Sequence, residues 1–454
     1  MTIPRQSDAI RTLSVLFVLI ALVIATPAEA LIIDHMLDSE NPTAPINTSA
    51  PADDPGWYRT AENRSAIYLG NQWVLSAKHA GAAGTITLPG GHYQAVPGSA
   101  ITLSNPSNFP GLGLTSESDL QLWRIKPETT TGLTPEQADP NLAADQFGAG
   151  TVTIGVSGFT LGREVTIISN GRTSKVDTNH PYGHTEIGGD VGIEVDLDDA
   201  NRIKAWGRNR IDNASVFTGG SSSAVSFNLN VGGNRGDVVA KLVQFDSDQY
   251  TYSNADTPVE FEAHGASGDS GGSVFYQQAG QWLLGGILVA TSAPQDQSGR
   301  LAGFGGNATI FADLTHPHYR DQINALLANN FTLFEAESGL TTDQTGYSIN
   351  GDINLDGVVS GDGSGDPLTD DVAAFVAGWR HEQQVGDVLS WQQGDLNLDG
   401  VTDLSDFALL RDAFNGTVTP TQLSMLLGVT TVPEPATLVL AALAGAAFLR
   451  RRGA

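Results

Sequence analysis

Short stretches in which apolar and polar residues alternate dominate the chain from Trp57 to roughly Phe331. Gly, Asn and Asp separate them, and examples are SAIYLGNQWVLSA, DLQLWRIK, GREVTIISNG, GIEVDL and QWLLGGILVA. A period of two is typical of strands, and many short strands between turn residues indicate a barrel or sandwich. Helical spacing is convincing only in HYRDQINALLANNF. The pattern therefore predicts an all-β fold over residues 57–331, with FTGGSSSAVSFNLNVGGNRGD as a long loop between strands.

The N-terminal segment 1–30 has the pattern of an export signal. Arg5 and Arg11 precede the apolar run TLSVLFVLIALVIAT, which is followed by PAEA. A basic start, a short apolar segment and small residues at the end are typical of a secretory signal, here cleaved after Ala30. An uncleaved membrane anchor is the alternative. The next segment, 31–56, precedes the β-rich region, and in it PTAPINTSAPADDPG is interpreted as extended and surface-exposed.

The composition argues against some classes of binding partner and excludes some kinds of catalytic chemistry. A chain of 454 residues is long enough for two or three domains and a sizeable core. It carries 23 Lys and Arg against 50 Asp and Glu, a formal net charge of −27. Such a charge repels phosphates, so no nucleic-acid partner is expected. The chain has no cysteine, which excludes thiol catalysis, thiolate zinc sites and disulfides.

Residues 346–420, which follow a linker at 332–345, contain an internal repeat. GDINLDGVVSGDG opens the first copy and GDLNLDGVTDLSD opens the second, so that the pattern starts at Asp352 and again at Asp395. The pattern Asp-x-Asn-x-Asp-Gly places oxygen ligands at alternate positions, with a Gly for the sharp turn, as in a loop that wraps one calcium ion. The sequence therefore predicts two structural Ca²⁺ sites, and acidic surface turns are the alternative.

The candidate calcium ligands follow the spacing of such a loop. In the second copy they are Asp395, Asn397, Asp399, the Val401 carbonyl, Asp403 and Asp406. In the first copy they are Asp352, Asn354, Asp356, the Val358 carbonyl and Asp371. Asp406 stands at the twelfth position of its loop, whereas Asp371 lies well beyond that position because GDGSGDPL is inserted. The paired loop–helix arrangement resembles dockerin domains, which implies a small α-helical calcium-loop domain with a cohesin-like partner.

The stretch HGASGDSGGSVF leads directly into two predicted strands, GGSVFYQQAGQWLLGGILVAT. Ser270 therefore lies on a tight bend that enters buried β-structure. A glycine before it allows backbone amides to face one pocket, and the amides of Gly268 and Ser270 are the candidate oxyanion donors. A serine nucleophile also needs a base. His79, in NQWVLSAKHAG, is the candidate base, and Asp119, in SESDLQLWRIK, is its candidate orienting acid.

Three motifs in this order, VLSAKHA, SDLQLWRI and GDSGGSV, resemble those of chymotrypsin/trypsin-like serine proteases (peptidase family S1). The resemblance covers about residues 57–330 and implies a chymotrypsin-like double β-barrel. It assigns Ser270 as nucleophile, His79 as general base and acid, and Asp119 as the carboxylate that fixes the tautomer. The spacing from His79 to Asp119 suits the family, whereas the long spacing from Asp119 to Ser270 implies an insertion. A buried structural histidine and a turn aspartate are the alternatives for His79 and Asp119.

The same resemblance gives Asp269 a supporting role. In the family this residue pairs with a newly exposed α-amino group, so cleavage of the signal would itself generate an active start at Leu31. Six residues before the serine, His264 stands where trypsin-like relatives carry the Asp that selects Lys or Arg, and trypsin-type specificity is therefore not expected. His180 and His184 in HPYGH have the spacing of a metal pair, but no third ligand lies nearby in the sequence.

The end of the chain joins a Pro-Glu-Pro tripeptide, an apolar run over 436–449 and three arginines. Residues 432–454 resemble the PEP-CTERM sorting signal of Gram-negative bacteria. The resemblance implies transient anchoring in the inner membrane, recognition by an exosortase-type enzyme, and delivery to the cell surface, outer membrane or extracellular matrix. Arginines on the cytoplasmic side suit this orientation. The apolar run is short for a transmembrane span, and a permanent membrane anchor is the alternative.

These patterns predict an exported protein with two domains. A protease barrel over 57–331 is followed by a dockerin-like domain over 346–420. The intact serine, histidine and aspartate favour a serine endopeptidase that acts on proteins or peptides without a catalytic cofactor. The alternative is a binding or matrix protein whose protease fold is inactive and whose dockerin-like domain does the binding.

Overall fold

The structure of the chain is a computed structural model. It describes residues 31–33, 47–107, 114–128, 130–148, 150–156, 160–172, 174–176, 193–195, 202–214, 227–230, 237–245, 259–266, 268–292, 301–302, 308–328, 331–338, 351–356, 358–382, 388–397 and 399–414. The predicted export signal, the pair His180 and His184, and the predicted sorting signal lie outside the described residues.

Within these ranges, short strands are the main regular structure up to residue 313. The strands are β1 Ile32–Ile33, β2 Ile67–Gly70, β3 Trp73–Ala77, β4 Ile86–Leu88, β5 Gly91–Tyr93, β6 Ile101–Ser104, β7 Glu117–Arg124, β8 Glu164–Arg172, β9 Ser174–Val176, β10 Ile193–Val195, β11 Arg202–Arg210, β12 Phe227–Asn230, β13 Asp237–Gln244, β14 Ala263–His264, β15 Ser273–Gln278, β16 Gln281–Ser292, β17 Leu301–Ala302 and β18 Ala308–Asp313. The helices are α1 Pro135–Ala138, α2 Pro140–Ala144, α3 Pro317–Leu327, α4 Phe331–Ser338, α5 Asp371–Gly378, α6 Val388–Trp391 and α7 Leu404–Ala413, with 3-10 turns at Trp57–Arg59 and Lys78–Ala80.

Most strands belong to an eleven-stranded sheet in the order β11-β8-β15-β16-β18-β13-β7-β3-β2, with β12 added to β13 and β6 added to β7. The later strands curl, so that Ile211 after β11 forms an isolated bridge with Val243 of β13. We call this part (β8, β11, β13, β15, β16 and β18) the C-half, and the curled sheet of β2, β3, β6 and β7 the N-half. The halves meet where Ser118 of β7 pairs in parallel with Asp237 of β13. The region is mostly β, as the alternation predicted.

Apolar side chains from both halves form a shared core. One cluster joins Trp73 and Leu75 of the N-half to Val238 and Ile310 of the C-half, and a second lies within the C-half around Phe311. Strands β13 and β18 are buried over nearly all their residues, on both faces. Each large apolar side chain buried in this way stabilises the fold by about 1.5–3 kcal/mol relative to exposure.

The predicted helix is confirmed as α3, which begins at Pro317, a residue that favours the first turn. It follows the last strand of the C-half but bonds to both halves. The Tyr319 hydroxyl accepts a hydrogen bond from the Val239 amide at 3.0 Å. The Gln322 Oε1 accepts one from the Ser104 amide at 2.9 Å. Helix α3 therefore connects the end of the C-half back to β6.

The structure also has regular elements that the sequence pattern did not indicate. Strand β12 pairs with β13 inside the Gly- and Ser-rich stretch that was interpreted as a long loop, so that interpretation was wrong at these four residues. The alternation in FNLN is too short to stand out among glycines. Strand β1 pairs with β14, and Leu31 is fully buried. Helix α4 extends ordered structure into the predicted linker at 332–345.

The last described part, residues 351–414, has its own small core around Ile353, Phe375 and Trp391. Val96 of the β-rich region belongs to the same cluster, and Lys126 Nζ donates to the Leu355 carbonyl at 2.9 Å. This part therefore packs against the N-half. Among the described residues, no helix combines the length and hydrophobicity that crossing a membrane requires.

Candidate functional site

The N-half positions a histidine beside an aspartate. Strand β3 ends at Ala77, which pairs with Leu120 of β7, so that Asp119 lies next to the 3-10 turn that carries His79. The His79 amide donates to Asp119 Oδ1 at 2.9 Å, and the imidazole Nδ1 lies 2.5 Å from Asp119 Oδ2. Asp119 is fully buried. One shielded carboxylate thus fixes both the backbone and the ring of the histidine.

The C-half brings a serine to the other side of this ring. Ser270 lies on the turn between β14 and β15, and its Oγ is 2.8 Å from His79 Nε2. With Nδ1 facing a carboxylate, the ring proton sits on Nδ1 and leaves Nε2 free to accept from the serine hydroxyl. The structure thus brings the three sequence-predicted residues, Ser270, His79 and Asp119, into one hydrogen-bonded line.

Glycines shape the turn that carries the serine. Gly268 has a φ of 107° and Gly271 a φ of 96°, which lie where side chains are unfavourable. A Cβ on Gly271 would overlap the Ser65 carbonyl oxygen and the Ser76 hydroxyl. The Gly271 amide donates to the Leu288 carbonyl at 2.8 Å. The serine turn therefore packs closely against the N-half and is hydrogen-bonded to β16.

The two candidate oxyanion donors lie on this turn. Among the described residues, neither the Gly268 amide nor the Ser270 amide donates a hydrogen bond to another group. Ser270 itself is half-buried. Free backbone donors beside a nucleophile, in a partly water-excluded place, are suited to stabilising a negative oxygen.

The Asp269 carboxylate is buried and bonds to the C-half. It accepts hydrogen bonds from the Ser169 hydroxyl and from the Ala266 amide, the latter at 2.6 Å. Burial raises the pKa of Asp269 to about 7, although these bonds and the Arg202 charge lower it. The partners shown therefore only partly offset the loss of water around the carboxylate.

His264 is a buried, neutral histidine. Its side chain is among apolar neighbours, with the Phe245 ring edge-on at a centroid distance of 6.1 Å. Within the described part of the chain, neither ring nitrogen has a hydrogen-bond partner of good geometry. Burial lowers the pKa of His264 to about 4, although the Ala308 backbone weakly opposes this shift. A neutral ring here supplies no negative charge that would attract Lys or Arg.

The two acidic repeats fold into closely similar loops. In the second loop the Asp399 amide donates to Asp395 Oδ1 at 3.0 Å and to Asn397 Oδ1 at 2.9 Å. The corresponding bonds of the first loop have the same lengths. The Val401 amide donates to Asp399 Oδ1 at 3.0 Å, and the Val358 amide bonds in the same way to its own loop. Backbone amides of each loop thus fix the positions of the side-chain oxygens at alternate residues.

Asp371 occupies the same place in the first loop as Asp406 does in the second. Each accepts three backbone hydrogen bonds: Asp406 from the amides of Leu396, Asn397 and Asp403, and Asp371 from those of Ile353, Asn354 and Ser360. Ser360 therefore corresponds to Asp403, although it was not among the ligands predicted from the sequence. The available signal was its position in the loop, which is the same as that of Asp403 when each is counted from the first Asp.

The loop carboxylates are close enough to disfavour one another's charge. Burial raises the pKa of Asp371, Asp395 and Asp406, and a neighbouring carboxylate adds to each shift: Asp356, Asp399 and Asp395 respectively. An oxygen-only donor set with uncompensated negative charge fits Ca²⁺. The described residues contain no cluster of three or more His, Asp or Glu side chains that could hold a metal ion by themselves. Asn oxygens and backbone carbonyls would have to complete the ligand set.

Comparison with known proteins finds one sequence motif and, among solved structures, similarity at a low score. Residues 431–452 match the family model described as the PEP-CTERM protein-sorting motif. The chain thus carries a motif that indicates export and membrane-associated sorting in Gram-negative bacteria. No curated protein sequence matches the chain. Among solved structures it is similar to mouse neuropsin, a serine protease expressed in the limbic system of the brain, with a TM-score of 0.30 and 12% identity over 56% of this chain and 85% of neuropsin. A score this low supports no function.

Proposed function

We propose that the protein is an exported serine endopeptidase that hydrolyses peptide bonds in protein substrates. The observation that supports this most directly is the line from Ser270 Oγ through the His79 ring to the buried Asp119 carboxylate. The two halves of the fold contribute its members from distant parts of the chain. Such a line makes a serine hydroxyl nucleophilic toward a carbonyl carbon.

The reaction follows from the direction of the hydrogen bonds. His79 Nε2 removes the Ser270 proton as Oγ attacks the carbonyl carbon, and the Asp119 carboxylate stabilises the resulting imidazolium. The amides of Gly268 and Ser270 donate to the negative oxygen of the tetrahedral intermediate. His79 then protonates the leaving amine. Water hydrolyses the acyl-enzyme by the same proton transfers and restores the Ser270 hydroxyl.

Removal of the export signal would activate this site. Leu31 is fully buried, and Ile32 pairs with His264, which precedes Asp269 by only a short turn. Cleavage after Ala30 creates an α-ammonium at the start of this buried segment. A buried carboxylate whose pKa lies at about 7 is stabilised strongly by a nearby cation. The new N-terminus would therefore hold Asp269 ionised and fix the serine turn beside it.

The calcium loops would act as a dockerin-like domain that binds a cohesin-like protein. Residues that would hold the ions are the ligands named above, with Ser360 in the place of Asp403. The ion would neutralise carboxylates that otherwise repel each other, so binding would order residues 351–414. An exosortase-type enzyme would recognise the sorting motif, and the proteolytic and binding parts would then reach the cell surface together.

Labelling with a fluorophosphonate probe tests the proposed activity. The exported protein should be labelled on Ser270, and His79→Ala should abolish the label. Ser364→Ala, an exposed serine in the first calcium repeat, is the matched control and should leave labelling unchanged. A folded wild-type protein that does not react would contradict the peptidase and favour an inactive binding or matrix protein.

A further inference from the structure

The peptide that joins Gly268 to Asp269 is held at both of its polar ends. Its carbonyl oxygen accepts a hydrogen bond from Arg202 Nη1 at 3.1 Å. Its N–H donates to the Ala266 carbonyl, also at 3.1 Å. This peptide lies between the two amides that would bind the oxyanion, those of Gly268 and Ser270. The backbone dihedrals at Gly268 and Asp269, on either side of this peptide, set the direction of one amide relative to the other.

Gly268 does not by itself restrict the conformation of this peptide. Gly268 has no Cβ and a φ of 107°, so its two dihedrals turn more easily than those of other residues. The hydrogen bonds at the two ends must then define the conformation. The bond from Arg202 is charge-assisted and is the stronger type.

Arg202 is the main donor to this carbonyl. Ser65 Oγ also lies 3.2 Å from the Gly268 oxygen, but it is closer, at 2.8 Å, to the Asn170 carbonyl. A hydroxyl has only one proton to donate, and the shorter contact takes it. Arg202 Nη1 carries two hydrogens, and it reaches both the Gly268 and the Asn170 carbonyls, at 3.1 Å and 3.0 Å.

We infer that Arg202 is a positioning residue for the oxyanion site: it holds the Gly268–Asp269 peptide so that the amides of Gly268 and Ser270 converge on one point. This inference rests on the proposed peptidase activity. Arg202 acts through the backbone and does not touch the substrate. Its loss should therefore weaken transition-state binding and leave ground-state binding intact.

Steady-state kinetics and a tetrahedral-adduct inhibitor test this role in the processed full chain. Arg202→Met should lower kcat by about tenfold to a hundredfold with KM unchanged, less than the roughly 10²–10³-fold loss seen when a whole oxyanion donor is removed. The affinity for a peptide boronic acid should fall by the same factor. Arg202→Lys should restore part of both. Arg208→Met, on the same strand but stacked over the Trp206 ring, is the control and should match wild type.

The outcomes separate this role from the peptidase proposal. A reactive wild type whose Arg202→Met variant keeps its kcat and its boronate affinity overturns the positioning role alone. A fall in melting temperature with an unchanged kcat also overturns it, because Arg202 would then only stabilise the fold. If Arg202→Met does not fold, Arg202→Gln, which also lacks the charge, takes its place in the same measurements. A wild type that neither cleaves peptides nor reacts with a fluorophosphonate contradicts both proposals.

Discussion

Asp371 and Asp406 accept equivalent backbone hydrogen bonds, although Asp371 lies much further along the chain from the first Asp of its loop than Asp406 does. Asp370 stabilises the inserted segment of the first loop. Its carboxylate accepts hydrogen bonds from the amides of Asp362, Gly363 and Gly365. The insertion therefore loops out without moving the last carboxylate. Apart from Ser360 in the place of Asp403, the two loops hold their side-chain oxygens in the same arrangement.

Calcium should stabilise the repeat region through both loops to a similar degree. Asp371→Asn and Asp406→Asn should each lower the Ca²⁺-dependent rise in melting temperature, because each removes a negative ligand. Asp366→Asn, an exposed residue of the insertion, is the matched control. Melting of the full chain with calcium and with chelator measures the effect. Equal melting in both conditions would rule out the calcium sites.

Without calcium, the repeat region should lose stability as the pH rises. The folded-state pKa values of Asp371, Asp395 and Asp406 are raised by burial and by neighbouring carboxylates. Below the ordinary carboxyl pKa these groups contribute their full stabilisation to the folded repeat region, and this stabilisation is lost as the pH rises through the raised pKa values. Denaturation of residues 351–414, followed in the full chain with chelator across this range, should show the decline. Asp362 and Asp403 act in the opposite direction, because hydrogen bonds from Ser364 and Ser405 lower their pKa values. The decline is therefore compared with that of Asp371→Asn, and an identical pH dependence in this variant would contradict the charge repulsion.

Ser270→Ala should remove peptidase activity and leave the fold intact, because the hydroxyl is replaced on an unchanged turn. The loss in turnover should be on the order of 10⁶, with a similar loss for His79→Ala and about 10⁴ for Asp119→Asn. Turnover of a peptide substrate and circular dichroism of each variant provide the measurement. Proteolysis by Ser270→Ala at the wild-type rate would refute the nucleophile.

Cleavage of the export signal should remove a pH-dependent loss of stability that originates at Asp269. In the unprocessed chain its pKa is raised from 3.8 to about 7, so its contribution is full below about pH 4 and is lost as the pH rises to about 7. Asp269→Asn should lack this decline. In the processed chain the α-ammonium of Leu31 should remove it. Denaturant midpoints of the four proteins across this range give the answer, and identical profiles for both forms of the wild type would contradict activation by Leu31.

Removal of residues 432–454 should release soluble, active protease, because the residues needed for membrane retention are lost. Each Pro of the Pro-Glu-Pro stretch fixes its own φ and restricts the residue before it, so the sequence predicts a stiff, extended site. This favours cleavage near the motif that matches at 431–452. Mass spectrometry of surface-located protein should find no peptide from Ala436 onward. Recovery of the intact tail would identify it as a permanent anchor.

The sequence predicted the prevailing β-structure, helix α3 and the three residues that meet at the candidate active site. Those features depend on local signals: alternation, helical spacing and short motifs. Spacing alone did not show that Asp371 still reaches its loop, because an insertion can be accommodated by a side chain such as Asp370. Nor could it show Arg202, since a guanidinium that bonds to a distant backbone carbonyl leaves no pattern along the chain.

The position of helix α3 in the chain implies that the proposed catalytic line assembles late during synthesis and export. His79 and Asp119 emerge early in a chain that is made and exported from its N-terminus, and Ser270 emerges much later. Tyr319 and Gln322, which bond back to β13 and β6, come later still. We expect no assembled catalytic line until these residues have left the export channel. The proposed protease would therefore be inactive toward the machinery that secretes it until almost its whole catalytic region has passed through.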